Sequence, residues 1–82
     1  MKTIGKAAKH IALSEYILID PEILGGDPVF RGTRVPVSSL FEHLESGCAL
    51  DEFLENFPSV THGAAIAVLE GAQELTLEKA GR

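Results

Sequence analysis

Two arginines in a glycine-rich segment are the residues best suited to contact another molecule. Arg31 and Arg34 are separated by Gly32 and Thr33 within residues 25–37, which also contain two prolines. Glycine permits backbone conformations closed to other residues and proline fixes φ, so the segment predicts a shaped turn. Its guanidinium groups can bind a phosphate or carboxylate, or link parts of the fold. We predict Arg31, Thr33 and Arg34 as contacts to nucleic acid or a partner, with a mainly structural role for at least one arginine.

The charge of the chain is distributed unevenly. Its formal net charge is −5, from 7 Lys and Arg against 12 Asp and Glu. Residues 35–78 contain no Lys or Arg, so the candidate phosphate-binding cations include Lys2, Lys6 and Lys9 of the N-terminal part. We interpret the acidic residues of this stretch as solvated helix faces rather than as a paired acid and base. Those predicted to face a partner are Glu42, Glu45, Asp51, Glu52 and Glu55.

The histidines and the cysteine form no catalytic or metal-binding pattern. His10, His43 and His62 are far apart, and none lies beside a nucleophile or carboxylate in a recognisable arrangement. Cys48 is the single cysteine, which excludes an intramolecular disulfide, and the sequence has no Cys/His cluster. The glycine-rich segment also lacks the spacing of a P-loop or a dinucleotide fingerprint. We therefore predict no enzymatic activity, no cofactor, no metal and no small-molecule substrate.

The elements that position the arginines are short. Residues 16–19 form a β-type run, and residues 20–25 combine an N-cap aspartate, a first-turn proline and a terminal glycine, as in a single helical turn. Val29, Phe30 and Val35 flank the arginine bend, and this pattern predicts a small hairpin or an extended edge. In either case, we expect both arginines on the exposed bend.

Three helices are predicted in the second half of the chain. Apolar residues recur with spacing i, i+3, i+4, i+7 over residues 37–44 and again over 50–57. A third helix is predicted to begin after Thr61, its N-cap, and is apolar nearly all round. One side of this helix is expected to face the first two helices. The other side faces either the N-terminal β segment or a partner chain. The apolar residues predicted to form a dimer or partner surface are Ile66, Leu69, Leu75 and Leu77.

Length and composition predict one folded domain. We assign residues 1–15 to a basic N-terminal arm and residues 16–80 to a single three-helix domain with its β element at 16–37. No apolar run approaches the ~20 residues of a membrane span, and no apolar signal core is present. We therefore expect no membrane association and a cytoplasmic location. The small size and the two-sided third helix favour a homodimer.

The order of these motifs resembles the small bacterial domain-of-unknown-function family 433. The resemblance covers about residues 16–72, and its specific part is the string Gly-Thr-Arg-Val-Pro-Val at residues 32–37. It is carried by Ile17 to Asp20, residues 25–37, Gly47, Asp51 with Glu52, Phe57 with Pro58, and residues 61–69. The chain departs from the pattern at Ala49, where Ser or Thr commonly caps the second helix, and at Gly63 and Ala64, which replace acidic residues.

The resemblance implies a mainly helical, homeodomain-like helix-turn-helix bundle of three helices with a short β element. It also implies the role of an antitoxin that neutralises a PIN-like ribonuclease toxin, with the acidic helices complementing the positive groove of that toxin. The alternative is a dimeric DNA-binding regulator that uses Arg31, Arg34 and the lysine arm. The third helix lacks base-reading Arg, Lys, Asn or Gln residues near its start, which argues against the simple form of this alternative.

Overall fold

Two short strands and three helices follow one another along residues 12–81, the part of the chain that this computed structural model describes. The strands are β1 (Ile17–Leu18) and β2 (Val29–Phe30), the helices are α1 (Val37–Glu45), α2 (Leu50–Asn56) and α3 (His62–Lys79), and single 3-10 turns lie at Leu13–Glu15 and Leu24–Gly26. The mainly helical prediction with a small β element is confirmed. Within the described residues, no helix is long and apolar enough to cross a membrane.

The two strands pair antiparallel, and a bend connects β2 to the start of α1. Ile17 lies opposite Phe30, and Leu18 lies opposite Val29. After β2 the chain bends and returns, so that the Phe30 N–H donates to the Val35 carbonyl at 3.0 Å. The predicted hairpin is therefore present.

Gly32 allows the tight bend of this hairpin. Its φ of +83° lies in the left-handed region, which glycine adopts without strain. The Thr33 N–H donates to the Phe30 carbonyl at 3.0 Å across the bend, and Pro36 forms a bridge with Val29 beyond it. Because Pro36 also precedes the first residue of α1, the bend fixes the start of that helix.

The helix boundaries match the predicted apolar spacing. The Thr61 hydroxyl accepts a hydrogen bond from the Ala64 N–H at 3.1 Å, which confirms Thr61 as the N-cap of α3. At the start of α2, the methyl group of Ala49 cannot act as a cap. The Ala49 N–H instead donates to the Glu52 carboxylate at 3.2 Å, so half of a capping box is kept.

The core lies where β2 meets the three helices. Its buried cluster consists of Phe30, Leu40, Phe53, Val60, Ala65 and Val68. The Phe53 ring lies 6.2 Å from that of Phe30 and 5.0 Å from that of Phe57, measured between centroids. His43 packs edge-on against both Phe53 and Phe57 at 5.4 Å, and its Nδ1 lies 2.8 Å from the Ser39 carbonyl oxygen. His43 thus lies half-buried at the edge of an aromatic cluster.

The 3-10 turn at Leu13–Glu15 covers the second side of α3. A Cβ atom on Gly71 would lie 3.1 Å from the Leu13 Cδ1, so the missing side chain of Gly71 lets the turn approach the helix closely. Ala67, on the same side of α3, is buried. Residues 13–15, which the predicted boundary assigned to the arm, thus pack against α3. The lysines of that arm lie outside the described residues.

The connection between the strands differs from the predicted single helical turn at residues 20–25. The Asp20 carboxylate accepts from the Glu22 N–H at 2.9 Å, and the Asp20 carbonyl accepts from the Ile23 N–H at 2.8 Å. A separate 3-10 turn then follows at Leu24–Gly26. Leu24 has a φ of +51° and Gly25 a φ of +66°, so the backbone becomes left-handed there and cannot extend the first turn as a right-handed helix.

Candidate functional site

The Arg31 side chain links the hairpin to the N-terminal end of the domain. Its Nε and Nη2 atoms donate to the Ser14 carbonyl at 3.1 and 2.8 Å, and Nη2 also donates to the Ile17 carbonyl at 3.3 Å. The Arg31 N–H donates to the Tyr16 carbonyl at 2.8 Å. These bonds join the first 3-10 turn, β1 and the bend. Arg31 therefore has the structural role predicted for at least one of the two arginines.

Thr33 is also engaged within the fold, whereas Arg34 points to solvent. The half-buried Thr33 hydroxyl donates to the Phe30 carbonyl at 2.7 Å and accepts from the Val35 N–H at 2.9 Å. Arg34 is exposed, and its side chain has no hydrogen bond to the described residues. Of the three hairpin residues predicted as contacts, Arg34 is thus the one with a guanidinium group available to another molecule at this bend.

The five predicted partner-facing carboxylates are all exposed. Glu42 and Glu45 lie on the outer face of α1, and the remainder lie on α2. Residues 12–81 carry 3 Lys and Arg against 12 Asp and Glu, a formal charge of 3 − 12 = −9. The surface of the described domain is therefore strongly acidic, and its α1 and α2 faces offer negative charge without an interspersed cation.

The four predicted dimer residues of α3 fall into two groups. Leu69 is half-buried and packs against the protein's own core, and Ile66 is half-buried beside the N-terminal turn. Leu75 is 55% exposed and Leu77 is 40% exposed. Every residue of 73–81 is exposed, so the C-terminal half of α3 is not covered by the described residues. Of the four predicted dimer residues, Leu75 and Leu77 therefore have apolar surface that is accessible to another molecule.

A cleft of about 470 Å³ separates the N-terminal turn from the start of α3. Glu15 and Tyr16 line one side of it, and His62, Gly63, Ile66 and Glu70 line the other. Sequence reasoning missed this site because its two walls lie some fifty residues apart in the chain. Neither wall alone shows a local sequence pattern that indicates a cleft.

The described residues contain no group of three His, Cys, Asp or Glu side chains that could hold a metal ion. Cys48 is half-buried in the loop between α1 and α2, with its Sγ 4.0 Å from the Ser46 Oγ. The histidines at positions 43 and 62 lie in different places, one in the aromatic cluster and the other in the cleft.

Comparison with known proteins identifies the family. The family model described as "Protein of unknown function (DUF433)" matches residues 17–70, and the chain belongs to this family. The crystal structure of a DUF433 member protein from Anabaena variabilis ATCC 29413 is similar, with a TM-score of 0.65 and 29% sequence identity over 80% of this chain and 65% of that chain. The fold described above is therefore also found in a solved member of the family.

A curated relative is similar over a shorter part. The uncharacterized protein y4eO of Sinorhizobium fredii (strain NBRC 101917 / NGR234) is 43% identical over 49 residues, which are 60% of this chain and 22% of that protein. The chain therefore spans about a fifth of the length of this relative and about two thirds of the Anabaena chain.

Proposed function

We propose that this protein is an antitoxin-like binding module whose partner is a basic protein, a ribonuclease toxin of the PIN-like class. The observation that carries the proposal is the exposure of five carboxylates on α1 and α2, within a stretch that has no Lys or Arg. The class of partner comes from the family resemblance, and the complementary sign of charge comes from this surface. On this proposal the protein acts in the cytoplasm without catalysis or a cofactor.

Electrostatics support an acidic protein surface as the binding face. A groove that holds RNA must be positive, because it neutralises phosphates. Opposite charges on two surfaces accelerate and orient their encounter. The hairpin is less suited to this role, since Arg31 and Thr33 are engaged within the fold. The outer faces of α1 and α2 therefore form the proposed toxin-facing surface.

The proposal includes a homodimer formed through the C-terminal half of α3. Leu75 and Leu77 expose apolar area there, and burying it against a second copy would remove that area from water. An 82-residue chain gains more from such burial than a large domain, because it buries a smaller part of its surface on folding. A homeodomain-like helix-turn-helix arrangement of α1 to α3 belongs to the same proposal.

The test is co-expression with the product of the neighbouring gene, followed by pull-down and a binding titration at increasing salt. The triple variant Glu42→Gln, Glu45→Gln, Glu55→Gln removes three charges from the proposed surface and leaves Glu52, which caps α2, in place. We expect the dissociation constant to rise about tenfold, since each exposed ion pair contributes roughly 0.2–1 kcal/mol. High salt should reduce the difference between variant and wild type.

A matched control removes three charges elsewhere. The variant Glu22→Gln, Asp27→Asn, Glu74→Gln changes the net charge equally, at exposed residues outside α1 and α2. It should change the dissociation constant less than the first variant does. If both triple variants weaken binding equally, binding depends on the net charge of the protein and not on the α1 and α2 faces. A neighbouring product that fails to bind at low salt would contradict the proposal as a whole.

Exposed Arg34 favours a second candidate function, a dimeric DNA-binding regulator. The charge of −9 on the described domain opposes it, because a protein that binds DNA neutralises phosphates with cations. Mobility-shift experiments with DNA from upstream of the gene, with and without the partner, separate the two functions. If DNA is bound, Arg34→Gln should weaken binding and reduce its salt dependence. The lack of a shift at low salt would exclude this candidate.

A further inference from the structure

The cleft beside α3 has the size of a small-ligand site. Its volume of about 470 Å³ lies within the roughly 300–1,000 Å³ of clefts that hold small molecules or side chains. One wall comes from the N-terminal turn, which the close contact between Leu13 and Gly71 holds against the helix. The other wall comes from the first two and a half turns of α3. Both walls are therefore part of the folded domain.

The lining of the cleft combines negative charge with apolar area. The two carboxylates, Glu15 and Glu70, come from opposite walls, and Tyr16 supplies an aromatic ring. Ile66 and Ala67 add apolar surface to the lining. His62 also lines the cleft, and no Lys or Arg of the described residues does. This combination suits a long side chain that has an apolar stem and a cationic end.

Arginine fits this lining better than lysine does. A guanidinium group is planar, stacks on aromatic rings and donates to carboxylates through two parallel N–H groups, whereas an ammonium group is a compact and strongly hydrated charge. With Tyr16 on one wall and a carboxylate on each wall, a guanidinium can use both kinds of contact. The three methylene groups of arginine would lie on Ile66 and Ala67.

Gly63 leaves the cleft accessible at the start of α3. A Cβ atom at this position would meet nothing within 4 Å, and Gly63 itself lines the cleft, so a side chain there would take up part of the open space of the cleft.

We propose that this cleft binds an arginine side chain of a protein partner. The site is separate from the α1 and α2 faces, and the inference does not depend on the identity of the toxin. Binding is non-covalent, through charge-assisted hydrogen bonds to Glu15 and Glu70 and stacking on Tyr16.

The experiment is an NMR titration of the full chain, at pH 8 and low salt, with N-acetyl-arginine amide as the probe. N-acetyl-citrulline amide, which is neutral and nearly the same shape, is the matched control ligand. We expect the arginine derivative to shift the backbone amide signals of Glu15, Gly63, Ile66 and Glu70, with a dissociation constant on the order of 1 mM for a ligand of this size. The citrulline derivative should leave them almost unchanged. Equal shifts with both probes, or none at these amides, would overturn the proposal.

Two further variants test the site, one by removing its carboxylates and the other by filling the cleft. Glu15→Gln with Glu70→Gln should weaken binding of the arginine derivative about fivefold, while Glu22→Gln with Asp27→Asn, which removes the same charge at exposed residues elsewhere, should not. Gly63→Leu should block the cleft and weaken binding at least fivefold, while the melting temperature stays equal or rises, because leucine favours the helix more than glycine does. Unchanged affinity in both cleft variants would refute the site even if the toxin is bound. Arginine binding with no toxin binding would uphold the site and reject the proposed function.

Discussion

The bend at residues 30–35 and the C-terminal half of α3 at residues 73–79 use their side chains in opposite ways. In the bend, Phe30 is 1% exposed, and the polar groups of Arg31 and Thr33 are bonded to main-chain atoms. In α3, all residues of 73–79 are exposed, including Leu75 and Leu77. The segment with the most distinctive residues thus stabilises the fold, while the less distinctive helix end has the surface that another molecule could cover.

The largest expected difference between the two regions is in the cost of removing an apolar side chain. Phe30→Ala should lower the free energy of unfolding by about 3–5 kcal/mol, because a fully buried ring leaves a cavity. Leu75→Ala should change the free energy of unfolding of the monomer by less than about 0.5 kcal/mol, because that side chain is mostly exposed in the single chain. Urea unfolding followed by circular dichroism measures both. A large, concentration-dependent effect of Leu75→Ala would mean that this helix end is buried in an assembly.

Substituting each arginine of the bend in turn tests this comparison further, because the two substitutions change the charge of the protein equally. Arg31→Gln should lower the free energy of unfolding by about 1–2 kcal/mol, since it removes the hydrogen bonds to the Ser14 and Ile17 carbonyls, and the exposure of the guanidinium moderates the effect. Arg34→Gln should change it by less than about 0.5 kcal/mol. Equal losses in thermal and urea unfolding would indicate that the positive charge matters and the Arg31 link does not.

Removing the Thr33 hydroxyl should lower the stability of the protein by a smaller amount. Thr33→Val keeps the shape but removes the bonds to Phe30 and Val35, and we expect a loss of about 1 kcal/mol. Thr33→Ser keeps the hydroxyl and should lose less. If Thr33→Ser destabilises the protein more than Thr33→Val does in urea unfolding, the methyl group rather than the hydroxyl is what the bend requires.

The smallest effect on unfolding is expected for the end of α3, where the informative measurement is mass in solution. Leu75→Ala with Leu77→Ala should change the free energy of unfolding of the monomer by about 0.5 kcal/mol or less. The proposed homodimer predicts that light scattering gives a dimer for the wild type at micromolar concentration and a monomer for the double variant. A wild type that is a stable monomer would contradict the dimer.

Local patterns in the sequence predicted most of the fold. The spacing of apolar residues gave α1 and α2, Thr61 marked the start of α3, and the flanking valines of the bend gave the hairpin. These features depend on residues within a few positions of one another. The left-handed turn at Leu24 was missed, because leucine rarely adopts that conformation and nothing in its side chain signals it.

The candidate sites were harder to predict, because they depend on contacts between distant parts of the chain. The Arg31 guanidinium reaches carbonyls 14 and 17 residues away, and a carbonyl is present at every position, so the sequence does not mark its partners. Leu69 and Leu77 both fit an apolar helix face, yet one packs on the core and the other is exposed. The cleft required the position of the N-terminal turn against Gly71, which periodicity does not describe.

The position of Tyr16 in the cleft has a practical consequence for spectroscopy. The chain contains one tyrosine and no tryptophan, so its intrinsic ultraviolet fluorescence originates almost entirely from this side chain. Because Tyr16 lines the cleft, its emission is an optical signal from that place alone, without an added dye or a mutation. A guanidinium stacked on the phenol would alter the emission intensity, so a simple fluorimeter can follow occupancy of the cleft in real time.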